Sequence, residues 1–109
     1  MLEIRHYTTD AGKNVFELWL NSLRDPRAEA RIAARLDRVA AGNFGDCKPV
    51  GEGVYELRID YGPGYRVYYA MVGRDCVLLL CGGDKRRQAA DIASAIQYLK
   101  DYKRRSVNP

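Results

Sequence analysis

Two arginines that can bind phosphate stand close together in the middle of the chain, within residues 56–69, ELRIDYGPGYRVYY. Arg58 and Arg66 lie on two apolar-rich runs that a Tyr-Gly-Pro-Gly turn joins, which is the pattern of a β-hairpin. A guanidinium group stays charged at physiological pH, and its planar fork binds two phosphate oxygens at once. Because fixed cations stabilise charge that develops on a reacting phosphate, the pair predicts a phosphate site.

The register of the hairpin decides whether the two arginines share one site. If Ile59 pairs with Tyr65 across a five-residue loop, Arg58 lies opposite Arg66 on one face of the sheet. If Asp60 pairs with Tyr65 instead, the two side chains point to opposite faces. Only the first register predicts a shared phosphate site.

An ion pair is the alternative role for Arg58. Glu56 and Asp60 each lie two residues from it, on the same face of a strand, so either carboxylate can pair with its guanidinium. No acidic residue lies within two positions of Arg66. Arg66 is therefore the stronger candidate for phosphate.

The spacing of apolar residues predicts the elements that position this hairpin, in the order β-α-α-β-β-β-α. The predicted strands are residues 2–8, 54–60, 65–72 and 76–81, and the predicted helices are residues 13–23, 27–41 and 85–102. We expect residues 43–53 to be a loop and the Gly-Gly-Asp-Lys run at 82–85 to end the sheet. The nearly all-apolar run 76–81 is expected in the sheet centre.

Two helices followed by an antiparallel meander predict an α+β fold. In this fold a two-helix hairpin packs on one face of a small, twisted, antiparallel-rich sheet, and a C-terminal helix follows. The other face is then open, so arginines that point there need no burial. A length of 109 residues favours a single domain over residues 1–109.

Composition excludes several classes of protein. An apolar fraction of 47% and a charged fraction of 29% are typical of soluble globular proteins, and no apolar run approaches the roughly 20 residues of a membrane span. The start of the chain has no export signal, so a cytoplasmic location is expected. Cys47, Cys76 and Cys81 lack the spacing of a zinc site and are expected to be free thiols, and we expect neither metal nor cofactor.

Positive charge concentrates near the C-terminus. The formal net charge is +4; residues 85–105 hold seven basic and two acidic residues, and the other 88 residues hold 11 basic and 12 acidic ones. Such a segment is either a solvated helix end or a surface for phosphate backbones or an acidic protein. Four more arginines, at 27, 31, 35 and 38, lie along one side of the second helix, where a solvated face with glutamate neighbours is favoured over a binding stripe.

Three segments in order, VYELRID, GYRVYYA and VLLLCGGDKRRQAADIASA behind a two-helix hairpin, resemble the RelE/ParE toxin superfamily of bacterial toxin–antitoxin systems. Within it they are most similar to the HigB-like "addiction module killer" branch. The resemblance implies the RelE/ParE-like fold and a ribosome-dependent endoribonuclease that cuts mRNA and blocks translation. It also implies a cognate antitoxin with a helix-turn-helix DNA-binding part.

The resemblance assigns roles to individual residues. Arg66 matches the arginine that contacts the reacting phosphate, Arg58 matches the second arginine of the motif, and Lys85 or Arg86 falls near a basic residue after the last strand. The chain has Val54 and Glu56 where RelE-type nucleases carry lysines, and its one histidine is His6, outside the motif. These departures keep a second function open, that of a non-catalytic inhibitor of DNA gyrase like ParE.

A ribonuclease that uses the RNA 2′-hydroxyl as nucleophile also needs a base and an acid. Glu56 or Asp91 can be the base if desolvation raises its pKa, and Lys85 or a tyrosine can be the acid if nearby cations lower its pKa. Alignment of the mRNA on the ribosome can supply much of the acceleration instead. Further RNA contacts are predicted at Tyr65, by stacking on a base, and at Arg87, Lys103, Arg104 and Arg105.

Overall fold

The computed structural model of the protein describes residues 1–107, which form five strands, three α-helices and one turn of 3-10 helix. In chain order these are β1 (Glu3–His6), α1 (Val15–Ser22), α2 (Pro26–Ala40), β2 (Cys47–Gly51), β3 (Val54–Ile59), β4 (Tyr65–Val72), β5 (Cys76–Asp84), the 3-10 turn (Lys85–Arg87) and α3 (Gln88–Val107). No helix among residues 1–107 is long and apolar enough to cross a membrane.

One sheet contains all five strands, in the spatial order β1-β5-β4-β3-β2. The strand β1 runs parallel to β5, and every other neighbouring pair is antiparallel. The predicted α+β class, the order of the seven predicted elements and the antiparallel-rich sheet are therefore confirmed. The predicted place of the apolar strand is also confirmed, since β5 lies inside the sheet between β1 and β4.

The prediction of a loop over residues 43–53 is wrong in its centre, because residues 47–51 form the edge strand β2. Its sequence, CKPVG, contains a proline and a glycine, which read as turn residues. Proline is nevertheless tolerated on an edge strand, where its missing N–H faces away from the neighbouring strand. The pairing with β3 shifts register between Pro49 and Gly51, so β2 is also irregular.

Side chains just before α1 and α2 cap the N-terminus of each helix. Asn14 caps α1, since its side chain accepts a hydrogen bond from the Glu17 N–H at 3.0 Å. Asp25 caps α2 in the same way through Arg27, at 2.9 Å, and Pro26 occupies the first turn. These side chains satisfy backbone donors that have no partner inside the helix.

Apolar layers cover both faces of the sheet, so the prediction of an open second face is wrong over most of its area. Phe16, Ile32 and Val39 of the helical hairpin pack on the first face, and Ala95 and Leu99 of α3 pack on the second. A strand that is apolar on both faces, as β5 is, needs a cover on each side. α3 begins at Gln88, beside Glu56, and runs towards the start of β3 near Gly53. The end of the sheet at the β3–β4 turn therefore extends beyond the first residue of α3.

Two glycines carry β5 beyond the predicted end of the sheet. A Cβ atom at Gly82 would lie 2.2 Å from the Trp19 ring, and one at Gly83 would lie 1.9 Å from an oxygen of Asp91. Both positions therefore need glycine for close packing, one on each face of the strand. The Gly-Gly pair does not break the sheet as predicted but lets α1 and α3 approach it.

Candidate functional site

The β3–β4 hairpin brings the two predicted arginines together. Ile59 pairs with Tyr65 across a five-residue loop, and Arg58 lies directly opposite Arg66. The first of the two predicted registers is therefore confirmed. The turn needs glycines, because Gly62 and Gly64 have φ values of 57° and 83°.

A cavity of about 380 Å³ opens beside this pair. Its walls carry three cations, Arg58, Arg66 and Lys85, and two carboxylates, Asp46 and Asp60, and the glycine-rich turn at 62–64 closes one side. This volume lies within the range of small-ligand sites. An anionic group of a larger molecule can enter it and meet the three cations.

Glu56 lies beneath the arginines and is fully buried, with no exposed surface. Its Oε1 atom lies 3.2 Å from Nε of Arg58 and 3.6 Å from Nε of Arg66. Its Oε2 atom accepts hydrogen bonds from the Tyr68 hydroxyl at 3.1 Å and from the Gln88 amide at 2.7 Å. One carboxylate thus joins both arginines to the sheet and to the first turn of α3.

The environment keeps Glu56 ionised. Burial opposes the charge, but hydrogen bonds from Gln88, Arg58 and Tyr68 and the charge of Arg66 outweigh it and lower the pKa of Glu56. The condition for Glu56 as general base was a raised pKa, and the lowered pKa does not meet it. Glu56 instead holds the two arginines in position.

Each guanidinium keeps donors that point away from Glu56. Arg58 uses Nε for the carboxylate, and within residues 1–107 neither of its terminal nitrogens makes a hydrogen bond. Arg66 donates through Nη1 to the carbonyls of Gly64 and Tyr65, at 3.1 and 3.4 Å, and its Nη2 makes no hydrogen bond to the described residues. The two side chains are 36% and 13% exposed, so both are partly accessible.

Arg58 forms the predicted ion pair with Glu56 and also lines the cavity, so the ion pair is compatible with a phosphate contact. No acidic residue lies within two positions of Arg66 along the chain, but the fold brings one beside it. Glu56 lies ten positions away but pairs with Tyr68 across the hairpin, which places its carboxylate beside Arg66. A paired arginine can therefore be a phosphate ligand as well.

Asp91 lies next to this group, packed over Gly83, which pairs with Arg66 on the neighbouring strand. Burial raises the pKa of Asp91; the charge of Arg87 opposes this shift, and the charge of Asp84 adds to it. Its Oδ2 atom is buried and has no hydrogen-bond partner among the described residues. Asp91 thus has the raised pKa that was the condition for a general base, whereas the pKa of Glu56 is lowered.

The three basic residues of the 3-10 turn have different surroundings. Lys85 lines the cavity. Arg86 is paired with Asp84 at 3.1 Å, and the Asp84 side chain also caps the turn by accepting from the Arg86 N–H. Arg87 is exposed beside Asp91. Of the two alternatives at this position, the structure brings Lys85 to the cavity and holds Arg86 on Asp84.

Tyr65 does not have the exposed ring that was predicted to stack on a base. It is 9% exposed and packs in the layer under α1, with its ring centre 6.1 Å from that of Trp19. Because neighbouring strand residues point to opposite faces, Tyr65 and Arg66 cannot both face the cavity side. This placement does not favour the predicted RNA contact at Tyr65.

The C-terminal cations are not part of the cavity. Along the axis of α3, Lys103 lies about 22 Å from Gln88, at 1.5 Å per residue. Arg104 and Arg105 both form ion pairs with Asp101, and Arg105 also lies near Asp10 at 3.4 Å. The structure thus places these three residues at the opposite end of the helix from Glu56.

Sequence reasoning missed the two neutral partners of Glu56, Tyr68 and Gln88. Tyr68 is fully buried, and Gln88 lies 32 positions after Glu56. Alternation along β4 places Tyr68 on the same face as Arg66, which was an available signal. No local pattern could connect Gln88 to the hairpin, because the contact depends on where α3 begins. Within the described part of the chain, no group of three or more His, Cys, Asp or Glu side chains is placed to hold a metal ion.

Known proteins share most of this architecture in sequence. Residues 18–100 match a family described as "Phage derived protein Gp49-like (DUF891)", and this span contains the second part of α1, all of α2, β2 to β5 and most of α3. A protein of Haemophilus influenzae named "Uncharacterized protein" is 52% identical over 80 residues, which cover 73% of this chain and 81% of the relative. Every residue of the cavity and of the Glu56 group lies inside the matched span.

Proposed function

The chain belongs to the Gp49-like phage-derived family, a RelE/HigB-like toxin family of toxin–antitoxin modules, and from this premise we propose that it is a toxin that cleaves mRNA on the ribosome. Membership implies an antitoxin partner. We further propose that this antitoxin carries a helix-turn-helix DNA-binding part and that the two proteins form a type II module.

The observation that carries the nuclease proposal is the paired position of Arg58 and Arg66. Both guanidinium groups are anchored to one carboxylate, and both keep unbonded terminal nitrogens at a cavity that Lys85 also lines. A phosphate in this cavity can accept several charge-assisted hydrogen bonds. Because the cations are already in place, they need little rearrangement when charge develops on the phosphate.

The proposed reaction is attack of the RNA 2′-oxygen on the adjacent phosphorus. The P–O5′ bond breaks, and the products are a 2′,3′-cyclic phosphate and a free 5′-hydroxyl. Arg66 and Arg58 stabilise the extra negative charge of the five-coordinate phosphorus. Lys85 is the candidate acid for the leaving 5′-oxygen, since it is the cavity cation that can release a proton most readily.

Asp91 replaces Glu56 as the candidate base. Burial raises its pKa above the usual value of an aspartate, which makes it a stronger base, and its Oδ2 atom has no hydrogen-bond partner among the described residues. Asp91 lies behind Gly83 and does not line the cavity, so proton transfer from the 2′-hydroxyl would pass through a bridging water. We assign alignment of the mRNA by the ribosome a large share of the acceleration.

A second function rests on the shortage of proton-transfer groups. His6 is the chain's one histidine, and it packs against Phe16 and Asn14, away from the cavity. Glu56 is occupied by four partners. A site that binds phosphate without efficient proton transfer would suit a gyrase inhibitor of the ParE type, which needs no RNA cleavage.

Primer extension on a reporter mRNA after a short induction of the toxin tests both proposals. We expect new 5′ ends within the translated frame, and none in a matched mRNA whose start codon is removed, because cleavage needs the ribosome. Induction of an Arg66→Ala variant serves as the second control and should leave the mRNA intact. Growth arrest with intact mRNA and with induced DNA-damage signalling would reject the nuclease and support the gyrase inhibitor.

A further inference from the structure

A second basic surface lies on α2, outside the cavity. Arg27, Arg31 and Arg38 are exposed, and their spacing along a 3.6-residue repeat places them on one side of the helix. Arg35 shares that side but turns inward, where it donates hydrogen bonds to the backbone carbonyls of Arg58 and Phe44. We call Arg27, Arg31 and Arg38 the α2 arginine row.

No member of the row forms an ion pair within residues 1–107. The acidic residues inside the same helix, Glu29 and Asp37, project from other sides. The capping residue Asp25 lies close enough to Arg27 for the two charges to interact, so it offsets part of the charge at that end of the row. The glutamate neighbours that the sequence favoured form no ion pair with the row, which keeps a positive potential.

The Arg31 end of the row lies beside the turn that closes the cavity described above. The Arg31 guanidinium lies over the Tyr61 ring, 4.6 Å from its centre, and the Tyr61 hydroxyl donates to Asp25 at 2.9 Å. Tyr61 begins the turn whose residues 62–64 close the cavity. Arg35 connects the same helix to Arg58 through the Arg58 carbonyl. The β3–β4 turn therefore separates the row from the phosphate cavity by only a few residues.

We propose that the α2 arginine row binds the sugar-phosphate backbone of the RNA strand where the strand leaves the cavity. The inference rests on the proposed nuclease function and extends its substrate site by a second set of phosphate contacts. RNA is favoured over an acidic peptide because the row lies beside the turn that closes the proposed phosphate cavity, and a single strand that occupies the cavity must continue past one of its sides. Tyr61 beneath Arg31 adds an aromatic surface of the kind that single-strand sites use.

Binding of this type releases counterions, so it has a measurable dependence on salt. For single-stranded nucleic acid, each phosphate contact contributes a slope of about −0.7 to log K against log salt concentration. We expect an Arg27→Gln/Arg31→Gln protein to lose about 1.4 from the magnitude of this slope and to bind several-fold more weakly at low salt. Its thermal unfolding midpoint should fall only slightly, since the two side chains lose surface contacts alone, that of Arg31 with the Tyr61 ring and that of Arg27 with the charge of Asp25.

The measurement is fluorescence anisotropy of a labelled 12-nucleotide RNA with 2′-O-methyl groups, which cannot be cleaved, titrated with the full chain at several salt concentrations. Arg74→Gln is the matched control, because Arg74 is an exposed arginine in the β4–β5 turn at the other end of the sheet. The control should keep the wild-type slope. A labelled peptide of ten glutamates is titrated in parallel.

Three outcomes would overturn the inference. The first is a double variant whose RNA binding has the wild-type salt slope. The second is a double variant that no longer binds the glutamate peptide but still binds the RNA, which would assign the row to an acidic protein partner. The third is a wild-type chain that does not bind the RNA. The proposed function is judged separately by primer extension. Cleavage that depends on Arg66, together with an unchanged slope, would leave the nuclease in place and reject the row.

Discussion

Replacement of Arg66 by alanine is expected to slow mRNA cleavage by about a hundredfold or more, with the fold intact. The loss follows from removing a preorganised cation that, in the proposed reaction, contacts the reacting phosphate. The fold should survive because Glu56 keeps Arg58, Tyr68 and Gln88 as partners after the truncation. The measurement is the single-turnover rate of cleavage on ribosomes that carry a defined mRNA, together with the thermal unfolding midpoint of the purified protein.

Arg66→Lys is the matched control for this experiment. Lysine keeps the positive charge but has no planar fork, so we expect a rate between those of the wild type and of Arg66→Ala. Equal rates for lysine and arginine would mean that charge alone matters. A folded Arg66→Ala protein that cleaves at the wild-type rate would remove Arg66 from the reaction.

Replacement of Glu56 by alanine is expected to lower the free energy of unfolding by about 3–5 kcal/mol, the usual cost of removing one partner from a buried ion pair. The change leaves Arg58 and Arg66 side by side without a counter-charge, and it leaves the buried Tyr68 hydroxyl without its acceptor. Urea denaturation followed by circular dichroism measures the loss. Glu3→Ala is the control, since Glu3 pairs with Arg5 at 3.0 Å on the surface and should cost less than about 1 kcal/mol. Similar losses for the two variants would mean that burial of the Glu56 carboxylate contributes nothing.

Stability should also depend on the ionisation of Glu56. Its pKa is lower in the folded state than in the unfolded chain, where a glutamate has a pKa of about 4.3. Its contribution is therefore complete above that value and disappears as the pH falls through the folded-state pKa. We expect the stability difference between the wild type and a Glu56→Gln variant to shrink as the pH falls from about 5 to about 3. A difference that stays constant over this range would show that Glu56 is not linked to the transition.

Much of the hairpin could be predicted because its rules are local. The turn glycines and the alternation of β3 and β4 leave two registers, and the structure selects the one that places Arg58 opposite Arg66. Because side chains alternate along a strand, the position of Arg66 on the cavity side implies that its neighbour Tyr65 points to the opposite face. The apolar strand β5 indicated that both faces of the sheet would be covered, which argued against an open face.

The remaining features depend on contacts that no local pattern contains. The sequence CKPVG reads as a turn until β3 is available as a partner, so β2 was missed. Glu56 is two residues from Arg58, but its burial depends on Gln88, which α3 brings from 32 positions away. Its pKa therefore could not be predicted from the hairpin alone, and neither could the opposite pKa shifts of Glu56 and Asp91.

The anchoring of both arginines to one carboxylate has a genetic consequence. A cell escapes a toxin by losing the function of its gene, and here the geometry of the proposed phosphate site depends on side chains that do not line the cavity. Survivors of forced expression should therefore carry substitutions at Glu56, Tyr68 and Gln88 as well as at Arg66. Resistance would then arise from substitution of the residues that position the two arginines as readily as from substitution of the residues that we propose bind the RNA.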